Sequence, residues 1–72
     1  MMPLSVADKG KTFRVRQING KDETQRFLES LGFVVGEAVT VISEIGGNMI
    51  LKVKDSRIAL DKKMAARIMV QP

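Results

Sequence analysis

The sequence predicts a mostly β protein: a small sheet of about five short strands, strongly curved and closed on itself, with one short α-helix between the first and second strands. Three observations predict it. The segment Thr12–Ile18 and most of the chain after Ala38 alternate apolar and polar residues or run β-branched, as strands do. Only the segment from about Lys21 to Leu31 carries helical spacing. Finally, 72 residues with no cysteine provide one small core, and a flat sheet of that size would leave long edges unpaired. One domain covering residues 1–72 is expected.

The elements follow in order. Residues 1–10 are weakly patterned; Pro3 and Gly10 bracket Leu4 and Val6, which read as an extended arm. In Thr12–Ile18, Phe13 and Val15 share one face while Arg14 and Arg16 take the other. Asn19-Gly20 marks a turn. In the helix, Asp22 and Glu23 occupy the first turn, where the partial positive charge of unsatisfied N–H groups favours carboxylates. Thr24, Phe27, Leu28 and Leu31 recur along one helical face. Gly32 stands where a left-handed residue ends a helix, because it has no Cβ to clash, and Phe33 is placed to fold back onto Leu28. Gly36 permits a second bend into the next strand.

Ala38–Ile45 and Met49–Lys54 read as strands around the loop Gly46-Gly47-Asn48. Asp55-Ser56 then turns the chain into Arg57–Leu60, Asp61 caps the short turn Lys62–Ala66, and Ile68–Val70 closes the sheet. A three-residue first loop sets Val41 beside Val53 and Ile45 beside Met49, with Ile42 and Ile50 on the outer face. A two-residue second loop sets Val53 opposite Ile58, Leu51 opposite Leu60 and Lys54 opposite Arg57. The expected core is Phe13, Val15, Leu28, Leu31, Val39, Val41, Leu51, Val53, Ile58, Leu60 and Ile68.

Composition excludes much chemistry. With no Cys and no His, the soft and borderline ligands of zinc and iron–sulfur sites are missing. The eight Asp and Glu are scattered, so no metal-binding residues and no cofactor are assigned. No imidazole stands ready to activate a serine, so no catalytic residue is assigned and the chain is read as a non-enzyme. Gly10-Lys11-Thr12 lacks the glycine five residues upstream that a phosphate-binding loop needs, and a strand follows it. The net charge of +4 admits an anionic partner, but the basic residues are dispersed among acidic ones. The three phenylalanines fit core or helix-cap positions rather than a base-stacking groove. A nucleic-acid-binding small barrel is kept as an alternative. Cytoplasmic residence is expected, since the first residues lack the charged region of a signal peptide and no apolar run approaches about 20 residues.

Candidate partner contacts are Phe33, Val34 and Val35 at the bend, and Ile42 and Ile50 on the outer face; Gly32 and Gly36 are assigned as structural turns. Alternation cannot bury all three bend residues on one side, and a contiguous exposed apolar patch marks a protein contact.

Taken together, Leu28-x-x-Leu31-Gly32-Phe33-x-x-Gly36-x-x-Val39, the hydrophobic strands, and Arg57-Ile58-Ala59-Leu60 with Ala65 and Ile68 downstream resemble the FeoA family, ferrous iron transport protein A. Phe13-Arg14-Val15 followed by Ile18-Asn19-Gly20 fits the same pattern, so the likeness runs from about residue 4 to residue 71. One departure is Val35, where family members commonly carry proline. The resemblance implies an SH3-like β-barrel and a cytosolic accessory role in bacterial ferrous iron uptake. It implies as partner the large membrane permease carrying a GTP-binding domain, with association to the membrane through that partner only, and weak self-association. The same fold occurs as the C-terminal domain of iron- or manganese-dependent repressors, so a stand-alone regulatory domain is a further alternative.

Overall fold

The structure is a computed structural model that describes all 72 residues. Its elements are β1 (Met2–Pro3), a 3-10 turn (Leu4–Val6), β2 (Thr12–Ile18), α1 (Asp22–Ser30), β3 (Ala38–Ile45), β4 (Asn48–Val53), β5 (Ser56–Asp61), α2 (Lys62–Ala65) and β6 (Ile68–Gln71). They form one six-stranded antiparallel sheet in the order β1-β6-β2-β3-β4-β5. The sheet curls around a single core, but its ladder is not closed. β1 and β5 are free edges, so the expected closure is corrected to an open curl. The sixth strand is the N-terminal arm, which pairs Met2 with Val70 and Pro3 with Met69 and buries Leu4 completely. Two residues are too short a strand to show any period.

Fifteen residues are buried, all of them apolar. Phe13, Val15, Leu28, Val39, Val41, Leu51, Val53, Leu60 and Ile68 are among them as expected. Leu31 and Ile58 are only half-buried and pack against the cluster's rim. Ile58 is left short of cover because it lies on the free edge strand. Ile18, Phe33, Met49, Ala65 and Val70 complete the core together with Leu4.

The helix ends as the sequence dictates. The N–H of Gly32 donates to the Glu29 carbonyl at 2.9 Å and that of Phe33 to the Leu28 carbonyl at 3.1 Å. This is the Schellman pattern, with Gly32 left-handed at φ +109°. Phe33 is carried into the core beside Leu28. Phe27 is the exception on the helical face: it is 49% exposed. The stripe that faces inward is Thr24, Leu28 and Leu31, and a nine-residue helix lying on the sheet's rim has no neighbour to cover Phe27 as well.

Both hairpins around β4 depart from the expected register. In the first, the loop has two residues, Gly46 and Gly47, and Ile45 pairs with Asn48. Both glycines have positive φ, +57° and +82°, the requirement of a type I′ turn. A bulge at Ile42 then restores the phase, so Val41 meets Leu51 and Val39 meets Val53. In the second, Lys54 and Asp55 form the loop, Val53 pairs with Ser56, Leu51 with Ile58 and Met49 with Leu60. The expected register would have placed apolar Met49 opposite Lys62; the observed one keeps the same faces and pairs Met49 with a leucine.

Candidate functional site

With the interior wholly apolar, polar chemistry lies on the surface, and the outer face of the sheet concentrates it. Cross-strand register builds this face row by row. Thr12 on β2 pairs with Thr40 on β3, Thr40 with Lys52 on β4, and Lys52 with Arg57 on β5. The two threonine hydroxyls are 2.8 Å apart and hydrogen-bonded. Lys52 and Arg57 are both exposed and directly opposed. A like-charge pair of this kind opposes folding. No ion pair offsets it: the three in the molecule are Lys11–Asp8 at 3.5 Å, Lys54–Glu37 at 3.9 Å and Lys62–Glu44 at 2.6 Å.

The next row on the same face is apolar. Ile50 is half-buried and pairs with Ala59 on one side and Ser43 on the other, beside the bulged Ile42, which is also half-buried. An uncompensated basic row thus borders a small aliphatic row on one exposed sheet surface. Such a surface suits a partner that brings carboxylates and an apolar side chain together.

The bend lies elsewhere. Ile42 lies four residue steps along β3 from Ala38, where the bend delivers the chain, roughly 13 Å at the strand rise of about 3.3 Å per residue. The five candidate contacts therefore do not form one patch. Phe33 is removed from the set altogether, because the helix stop turns it into the core with no exposed surface. Val34 is half-buried. Val35 is 66% exposed for a local reason: the N–H of Glu37 donates to the Val34 carbonyl at 3.0 Å, making Val35 and Gly36 the two corner residues of a tight turn. Gly36 has φ +92°, as the second corner of a type II turn requires, and Val35 takes the first corner, where proline is favoured. Arg14 Nη1 fastens this turn by donating to the Gly36 carbonyl at 3.0 Å.

Two of the three aromatics cannot stack on a base, since Phe13 and Phe33 are buried. Phe27 stands alone on α1. The sequence-based register sets Lys54 opposite Arg57; the observed β4–β5 register pairs Lys52 with Arg57 instead.

A family model described as the FeoA domain matches residues 2–72. A protein of Methanocaldococcus jannaschii named for Fe(2+) transport protein A is 32% identical over 71 residues, 99% of this chain and 87% of its own length. Among solved structures, an iron uptake regulatory protein (FeoA) superposes with TM-score 0.89 at 33% identity, covering 97% of this chain and 93% of the other. The zinc-complexed FeoA of Stenotrophomonas maltophilia, described as an SH3 domain protein, gives 0.85 at 30% identity over 99% and 91%. A manganese-dependent transcriptional repressor gives 0.85 at 21% identity, with this chain matching 40% of it; that likeness is one of fold.

Proposed function

The chain belongs to the FeoA domain family, and from that premise we propose that it is a small cytoplasmic accessory protein of ferrous iron uptake. It acts by contact with the membrane permease that carries the system's GTP-binding domain. Ferrous iron is the cargo of that system and not a resident of this chain, which has neither Cys nor His to hold it. No helix is long and apolar enough to cross a membrane; the family role assigns its association with the bilayer to the partner. No catalytic residue is assigned to this chain, which has no His to act as base and no Cys to act as nucleophile.

The observation that carries a contact role is the outer face: Lys52 and Arg57 opposed without counter-ions beside Ile42 and Ile50. Folding tolerates that repulsion, and an acidic partner surface would relieve it. The test is capture of the purified permease GTP-binding domain on the immobilised chain, with and without a non-hydrolysable GTP analogue. Capture that weakens with salt and is lost on Ile50→Asp or Lys52→Glu, both folded by circular dichroism, is expected. Absence of capture in both nucleotide states overturns the reading.

A further inference from the structure

The open edge of the sheet is self-complementary. The two-residue loop makes Val53 and Ser56 a hydrogen-bonded pair, so Ser56, Ile58 and Leu60 turn their backbone groups toward β4. Arg57, Ala59 and Asp61 then turn theirs away from it, toward the free edge. β5 has no other ladder partner. Its six residues are long enough to template a further strand, and Ala59 at the centre is exposed.

We propose that β5 pairs antiparallel with β5 of a second copy of this chain, about a two-fold axis through Ala59. That register opposes Arg57 to Asp61 of the second copy, twice over by symmetry, on the outer face. On the inner face it opposes half-buried Ile58 to Leu60 of the second copy. Ala59 meets Ala59, extending the apolar row to run from Ile50 across both copies to the other Ile50. Every cross-pair is matched in kind: ion with counter-ion, aliphatic with aliphatic. A slip of one residue sets inward residues against outward ones. A two-fold centred on Ile58 loses the ion pair and sets Arg57 against alanine. Among pairings of β5 residues with one another, only the register centred on Ala59 supplies Arg57 with a carboxylate, which it lacks in the monomer. This contact shares Arg57 and the Ile50 row with the proposed permease contact, but it is made through the strand edge and is tested on the isolated chain, without the permease.

Sedimentation equilibrium and native mass spectrometry test it. The wild-type chain is expected to dimerise reversibly below about 1 mM. Ala59→Pro removes an N–H that points away from β4, so it leaves the fold intact while abolishing the dimer. Arg57→Asp weakens self-association at least about tenfold. Mixing Arg57→Asp chains with Asp61→Arg chains restores a heterodimer, since each then offers the other two opposite charges. Asp61 also caps α2 by accepting from the Met64 N–H at 2.8 Å, so Asp61→Arg is used only if circular dichroism shows it folded; Ala59→Pro and Arg57→Asp decide the matter without it. A wild-type chain that stays monomeric at about 1 mM, or a dimer that survives Ala59→Pro, overturns the proposal.

Discussion

The two hairpins that share β4 solve the same problem in opposite ways. The β3–β4 hairpin has the turn that a two-residue loop wants, two glycines both at positive φ, and then breaks its ladder with a bulge at Ile42. The β4–β5 hairpin keeps an unbroken ladder of six pairs and accepts a poor turn, in which Lys54 is the only non-glycine residue at positive φ, +54°. In each case the local feature yields and the inward face does not. Val39, Val41, Leu51, Val53, Met49 and Leu60 are all buried. Packing of β4 against both neighbours sets the register, and turn chemistry adapts to it.

The largest expected effect therefore comes from β4 itself. Leu51 has no exposed surface and pairs with Val41 on one side and Ile58 on the other. Leu51→Ala removes a side chain that both hairpins share and leaves a cavity, costing about 2–5 kcal/mol. For so small a domain that is a large share of total stability. Urea titration is expected to show the chain wholly or largely unfolded in buffer. A midpoint close to wild type would mean that the turns, and not β4, hold the register.

Next in size is the glycine turn. A Cβ on Gly47 meets open space, so Gly47→Ala is penalised through the backbone alone. Its φ of +82° puts an L-residue in the left-handed region, at a cost of about 1–2 kcal/mol. Thermal melts check it. A neutral outcome would show that the bulge lets this loop change type.

How far the sequence could be read follows the same division. Strand and helix positions, and the face of nearly every core residue, were legible because period two and period 3.6 survive any shift of register by two. The register itself was not. A three-residue loop and a two-residue loop plus bulge both put the valines inside, and nothing local to Ile42 announces the bulge. β1 lay below the length at which alternation shows. The proposed contact surface was legible in part, in Ile42 and Ile50 on the outer face; the pairing of Lys52 with Arg57 was not, because the expected register set Lys54 opposite Arg57. Phe33 was misplaced because helix-stop geometry, which the sequence did signal, sends it inward. Val35 is exposed because it occupies a turn corner.

The second turn predicts a gain. Lys54→Gly relieves the left-handed penalty of about 1–2 kcal/mol, against about 0.5–1 kcal/mol of added unfolded-state entropy. The ion pair lost with it, Lys54 to Glu37, is long at 3.9 Å and joins an exposed lysine to a partly buried glutamate, so it is worth little. A net stabilisation of a few tenths to about 1 kcal/mol is expected, with a higher melting midpoint. Opposite signs for Gly47→Ala and Lys54→Gly would establish that the second hairpin tolerates its turn and does not require it.

The smallest effect sharpens the comparison from outside both hairpins. The bend before β3 is a turn whose residues do agree with their geometry, apart from Val35. The N–H of Val35 makes no hydrogen bond within the backbone, whereas those of Val34, Gly36 and Glu37 all do. Proline at the first corner of such a turn removes no bond and restricts the unfolded chain. Val35→Pro is expected to stabilise by about 0.4–1 kcal/mol. Chemical denaturation measures it, and a loss of stability would show that Val34, which proline would confine to extended backbone, is held in some other conformation. Because Val35 stands apart from the Ile42 and Ile50 rows, the same variant should leave capture of the permease domain unchanged. A variant that stabilises the fold yet loses the partner would move the contact surface to the bend.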